Sequence, residues 1–227
     1  MVSGGMGYAQ ENEETIQTWY SFSLYKNIST NFMFYTNPEY YEMVKGDDKW
    51  GEVAWTTGVE YYPNNKFDLY SDIYSSYTQQ ATGVKTLEIR PRLGTRWHIS
   101  TPERKVPVFI QGLYEFRNQY DIDSSSWVNS HRFRLRSDVR FSLNRSNILQ
   151  DKNILLRLYW ELFMNTNNAI HERFWNSRQL GTGIYYRHNG RRRYELRYIL
   201  QSSKNNLEET EYKISSHIFY FLVTFFL

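Results

Sequence analysis

Arg132, Arg134, Arg136 and Arg140 stand at alternate positions with Asp138 among them, the densest line of ionisable chemistry in this chain. Guanidinium groups grip carboxylate and phosphate oxygens through paired N–H donors. Such a line therefore either attracts anions or locks into ion pairs with neighbouring acids. A spacing of two is the period of a β-strand, whose successive side chains leave opposite faces. The intervening Phe133, Leu135, Ser137, Val139, Phe141 and Leu143 are mostly apolar, so one face is ionised and the other is not. A soluble strand would turn its arginines to water. A transmembrane strand would turn its apolar side to lipid and its arginines to a watery lumen.

The same sorting recurs in five further segments, which favours the second arrangement. Leu87, Ile89, Leu93, Trp97 and Ile99 alternate with Glu88, Arg90, Arg92, Arg96 and His98. Leu156, Leu158, Trp160 and Leu162 alternate with Arg157, Tyr159 and Glu161. Tyr194, Leu196, Tyr198 and Leu200 alternate with Arg193, Glu195 and Arg197. Val53, Trp55, Thr57, Val59 and Tyr61 leave Glu60 inside, and Phe67, Leu69 and Ile73 leave Asp68, Tyr70, Asp72 and Tyr74. Glu115, Arg117 and Arg187 complete the inner set. Two consequences are open at this level. The arginines either set an anion-attracting field, or they pair with the acids as a polar filling of a narrow barrel.

Other chemistry is sparse. Trp97-His98-Ile99-Ser100 carries the H-x-S spacing of outer-membrane lipid hydrolases, but Thr101-Pro102-Glu103 does not continue such a motif. His131, His171, His188 and His217 are scattered without metal-ligand spacing, and no cofactor is expected. The Asn27-Ile28-Ser29 and Asn144-Arg145-Ser146 sequons would carry no implication in an outer-membrane barrel.

The elements that must carry these residues are long. Two-periodic segments span 15–25, 29–41, 50–62, 66–79, 85–99, 106–119, 127–143, 152–165, 174–188, 191–203 and 213–227. Soluble strands average about five or six residues, while a tilted transmembrane strand needs about 9–11. The spacing therefore predicts an all-β, antiparallel transmembrane barrel of about 10–12 strands with an arginine-rich lumen. Pro63-Asn64-Asn65 and His188-Asn189-Gly190 read as tight turns, and Lys26-Asn27-Ile28 as another. Longer connections fall at 42–49, 80–84, 120–126, 166–173 and 204–212, the side expected to face outward. Eleven segments conflict with the even strand number usual in bacterial barrels, so either one segment is wrongly divided or the barrel closes with a parallel pair. Pro91 removes a ladder donor within a strand and predicts a bulge.

Composition agrees. The 227 residues hold no Cys, so there is neither a disulfide framework nor a thiolate metal site. Tyr, Phe and Trp make 18% of the chain, and the seven Trp (Trp19, Trp50, Trp55, Trp97, Trp127, Trp160 and Trp175) mostly lie near strand ends or faces, as an interfacial girdle requires. A net charge of +3 gives no electrostatic case for nucleic acid. No run of 18 apolar residues supplies a helical span. Residues 1–9 end in Gly7-Tyr8-Ala9, which resembles a signal-peptide cleavage site, leaving 10–227 as a single barrel domain. The aromatic last segment, with Phe226 one place from the end, suits either a lipid-facing closing strand or a signal to the outer-membrane assembly machinery.

The second half resembles a known family. Arg132-Phe133-Arg134-Leu135-Arg136, Phe141-Ser142-Leu143-Asn144, Leu158 to Asn165 with Glu161, Glu172 to Asn176, and Leu180-Gly181-Thr182-Gly183-Ile184-Tyr185-Tyr186 occur in the order seen in the bacterial envelope family catalogued as domain of unknown function 2490. The resemblance covers about residues 15–227 and is most specific over 130–200. Trp160 stands where the family often has Asn, and Arg191-Arg192-Arg193 where Lys-rich sequence is usual. The resemblance implies an outer-membrane β-barrel of Gram-negative bacteria and carries over no activity and no site residues. The expected protein is thus a non-enzymatic barrel of the bacterial outer membrane, structural or a narrow pore, with an anion-selective channel as the alternative and an outer-membrane lipid hydrolase built on His98 and Ser100 ranked last. Its expected partners are outer-membrane lipid, the assembly machinery and small anionic solutes, not nucleic acid.

Overall fold

The computed structural model describes residues 14–46, 49–80, 83–100, 105–165, 176–204 and 212–227. Residues 1–9, read above as a signal remnant, lie outside them, as do Glu103, His171 and Trp175. Eleven strands appear in chain order: β1 (Thr15–Asn27), β2 (Phe32–Lys45), β3 (Trp50–Asn64), β4 (Phe67–Gln80), β5 (Lys85–His98), β6 (Val108–Asp121), β7 (Ser126–Ser142), β8 (Asn153–Asn165), β9 (Asn176–Asn189), β10 (Arg192–Lys204) and β11 (Lys213–Phe226). Each pairs with its chain neighbours, and β1 pairs with β11 to close a barrel.

Closure resolves the odd count. Strands joined by hairpins alternate in direction, so the first and eleventh run the same way and can meet only in parallel. The β1–β11 ladder is parallel from Thr15↔Ser216 to Tyr25↔Phe226, whereas every other pair is antiparallel. Side chains reinforce this seam. On its inner side Thr15 Oγ1 meets Ser216 Oγ at 2.7 Å and Gln17 Nε2 donates to Ser216 Oγ at 3.0 Å. On its outer side Tyr20 stacks on Phe221 and Phe22 packs against Phe225.

Turn chemistry fixes the registers. Asn64 Oδ1 accepts from the backbone N–H groups of Lys66 and Phe67, and Asn189 Oδ1 accepts from those of Arg191 and Arg192. These are Asx turns, in which a short side chain substitutes for a backbone carbonyl. Ser29 Oγ does the same for Asn31 and Phe32. These three tight turns lie at one end of the barrel, the turn end; the opposite end is the loop end.

Pro91 causes no bulge, contrary to the sequence expectation. Ile89↔Asn118 and Arg92↔Glu115 keep one register, with only Arg90 and Pro91 left out of the ladder toward β6, while Pro91 still pairs with Ile73 of β4. The missing N–H is absorbed as a short gap on one side of the strand.

The wall sorts as its periodicity requires. Val53, Trp55, Phe67, Ile73, Leu93, Trp97, Leu158 and Leu196 are exposed on the outer face, while Glu60, Asp72, Glu88, Arg90, Glu115, Asp138, Arg157, Glu161 and Glu195 are buried within. An apolar outside around a polar inside inverts the soluble arrangement and matches a lipid-facing wall.

Candidate functional site: the arginine-lined lumen

Strand pairing places acids directly beside the arginines. Across β4–β5, Asp68 faces Arg96 and Asp72 faces Arg92. Across β5–β6 Arg92 faces Glu115, which faces Arg132 on β7, and Arg136 of β7 faces Glu161 of β8. All fourteen lumen-charge candidates lie on the inner face, and most join two chains of ion pairs, one running from Arg117 through Glu88, Arg90, Glu115, Arg134 and Glu161 to Arg136 and the other from Arg140 through Asp138, Arg157 and Glu195 to Arg197. Arg90 and Arg117 both grip Glu88, with contacts of 2.7 and 2.6 Å, and Arg92 pairs with Asp72. Arg132 and Arg134 hold Glu115 at 2.5 and 3.1 Å, and Arg134 and Arg136 hold Glu161 at 2.7 and 2.5 Å. Arg140 and Arg157 share Asp138, Arg157 reaches Glu195 at 2.9 Å, and Arg197 lies 2.6 Å from Glu195. Arg193 stands apart, its guanidinium 4.0 Å from the centre of the Phe226 ring.

Shared carboxylates fix the positions of their arginines. Each acid satisfies two guanidinium groups, and each guanidinium has few alternative rotamers that keep both bonds. Aromatic rings add a second constraint. Arg134 lies 4.7 Å from the Phe163 ring centre, Arg136 5.1 Å from Tyr159 and Arg90 4.5 Å from Tyr74. Such cation–π contacts favour a desolvated guanidinium.

The lumen divides into two parts. Toward the turn end it is filled. His98 Nε2 lies 2.7 Å from Asp68 Oδ2, Arg96 reaches Asp68 at 2.9 Å and Glu60 at 3.6 Å, and Tyr62 bonds Glu60. Phe226 stacks on Tyr25 beneath Arg193. Nearer the loop end is a cavity of about 640 Å³. Arg92, Arg132, Arg134 and Arg136 form one wall, and Trp19, Asn37, Glu39 and Tyr41 stand on the strands opposite. The carboxylates that hold these arginines do not line it; they stand behind. The Glu115 side chain is 0% exposed and that of Glu161 3%, against 17% for Arg134 and 20% for Arg136. The cavity therefore meets guanidinium donors while the balancing charge is buried in the wall.

Sequence patterning missed the wall opposite. On β2, Met33 and Met43 face inward while Thr36, Pro38 and Glu42 face outward, so neither side reads as apolar. Glu39 and Asn37 were hidden by that mixture; pairing β2 against the clean alternation of β3 would have found them. Trp19 also departs from the expected girdle. It packs edge-on against Tyr41 and Tyr220 inside the barrel, and Trp50 too lines the cavity, whereas Trp55, Trp97, Trp127 and Trp160 are exposed outside. Phe226 points inward, and it is Phe225 that ends the outer face.

The H-x-S pair does not form a catalytic arrangement. His98 is held by Asp68 in the lumen, while Ser100 Oγ donates to the Val106 carbonyl at 3.0 Å and accepts from the Val108 N–H at 2.8 Å, stapling the connection after β5. Among the described residues no group of three or more His, Asp or Glu has metal-binding geometry.

Comparison with known proteins bears on the fold. The chain is similar to a solved structure described as the NanC porin in a rhombohedral crystal form, with a TM-score of 0.50 and 10% identity over 82% of this chain and 86% of that one. This is a porin-like barrel fold. At that identity the likeness concerns architecture alone. No family model matches the chain, and no curated protein matches it.

Proposed function

We propose that this protein is an outer-membrane β-barrel of the family catalogued as domain of unknown function 2490, and that its lumen forms a narrow pore admitting small anionic solutes. The observation that carries the reading is the arginine wall of the cavity, with Glu115 and Glu161 buried behind Arg134 and Arg136. Guanidinium groups prearranged in a low-dielectric wall bind an anion without first reorganising, and rings of basic side chains select anions by their field. The apolar outer face supports placement in a membrane, and a closed β-barrel is the strand architecture that a bilayer tolerates. The reading assigns no catalytic step to any residue.

Reconstitution in planar bilayers under a potassium chloride gradient tests it. The expected reversal potential shows anion preference, weakened when Arg134→Gln and Arg136→Gln are combined. Cation preference, or no channel activity from folded protein, would overturn the pore reading. A purely structural barrel has one observation in its favour, the ion-paired and aromatic filling of the turn end. It would give folded protein without conductance.

A further inference from the structure

The wall facing the arginines has its own chemistry. β2 lies five strands from β7 in one direction around the barrel and six in the other, so the two face each other across the lumen. From β2, Asn37, Glu39 and Tyr41 line the cavity. Neither Glu39 nor Glu52 makes an ion pair with any described residue, unlike the acids behind the arginines. The Oδ1 of Asn37 is buried and accepts no hydrogen bond. The Glu39 carboxylate takes hydrogen bonds from the hydroxyls of Tyr41 and Ser21, and Glu52 takes one from Tyr74, but among the described residues neither has a cation beside it. A buried acceptor without a donor is costly, and a carboxylate at a low-dielectric wall gains from a paired cation. Both are relieved by one group, a cation with several N–H donors. Ser21 and Ser23 of β1 add hydroxyl oxygens to the same side.

We propose that the cavity takes small zwitterions, carboxylate against Arg132, Arg134 and Arg136, ammonium against Asn37 and Glu39. The inference rests on the arginine wall being an anion site and adds the opposite pole. The geometry sets a scale. Eleven strands about 4.8 Å apart and tilted about 40° give a barrel roughly 20 Å across between backbones. An arginine from one side and a glutamate or asparagine from the other leave about 10 Å between their tips, on the order of one extended amino acid with five or six bonds between its charges. A carboxylate alone would fill one pole and leave Glu39 without a cation and Asn37 Oδ1 without a donor. An amine alone would face the guanidinium groups.

Full-length protein in a non-ionic detergent at low ionic strength is titrated calorimetrically with 6-aminohexanoate, hexanoate and hexylammonium. These share a chain length and differ only in their charged ends. 6-Aminohexanoate is expected to bind about tenfold more tightly than hexanoate, the equivalent of one added charged hydrogen bond, and hexylammonium most weakly. Glu39→Gln is expected to bring 6-aminohexanoate and hexanoate within about a factor of two of each other. Arg134→Gln is expected to weaken both. The heat-dependent gel migration of each variant reports whether the barrel has formed. Hexanoate binding as tightly as 6-aminohexanoate to the wild type would overturn the zwitterion site while leaving the arginine wall as an anion site. Binding of neither carboxylate would overturn both. A Glu39→Gln protein that keeps the full tenfold preference would also overturn the assignment of the ammonium pole.

Discussion

Tyr159 of β8 lies flat on Gly181 of β9, so closely that a Cβ at position 181 would overlap the ring. Tyr70 lies on Gly94 in the same way, one strand step away on the other side of the arginine wall. Both glycines face inward, where a side chain would push the neighbouring tyrosine into the lumen. The missing Cβ atoms let two large rings line the wall, and Tyr159 in turn supports Arg136 at 5.1 Å.

Gly181→Val is therefore expected to turn Tyr159 into the cavity and to disturb Arg136. Overpacking of this kind costs about 1–3 kcal/mol. A lower temperature for loss of the folded gel band, together with smaller single-channel conductance, would show it. Unchanged conductance would mean that Tyr159 has another place to go.

Glu161 binds Arg134 and Arg136 from a nearly inaccessible position. Removing a buried acid leaves two guanidinium groups facing each other, whereas removing one arginine leaves the acid with a remaining partner. Glu161→Ala should cost about 3 kcal/mol, the scale of a broken buried pair, and Arg136→Ala less. Urea titration of refolded protein in lipid vesicles, followed by tryptophan fluorescence, gives the order. The reverse order would show that aromatic contacts, not the carboxylate, hold these arginines.

Phe225 and Phe226 separate two roles in adjacent residues. Phe226→Ala removes the ring that stacks on Tyr25 beneath Arg193 at the turn end, and is expected to raise conductance. Phe225→Ala removes an outer-face contact with Phe22, worth about 1 kcal/mol for an aromatic pair, and should lower stability without changing conductance. Equal conductance in both variants would place the constriction elsewhere.

Selectivity should depend on salt. The Debye length shrinks from about 10 Å at 0.1 M to about 3 Å at 1 M, less than the width of the cavity. The anion preference measured at the lower concentration is expected to fall markedly at the higher one. A preference independent of salt would point to direct binding at one arginine rather than to the field of the wall.

The sequence alone determined which residues face inward wherever one face was apolar. Arg132 to Phe141 and Leu87 to Ile99 declare their two sides because alternate side chains of a strand never share a face. The elements were legible for the same reason, and the Asn turns because Asn64 and Asn189 fold locally. The tertiary structure decided what depended on which strands meet. An odd strand number forced the parallel β1–β11 seam. Register put Glu161 beside Arg136 and Glu115 between Arg92 and Arg132, so the balancing charges stand behind the arginines instead of across from them. Closure brought Glu39 and Asn37 of β2 opposite β7, from a strand whose mixed faces gave no pattern to read. Alternation is a property of a single strand, whereas a lumen exists only once the first strand has found the last.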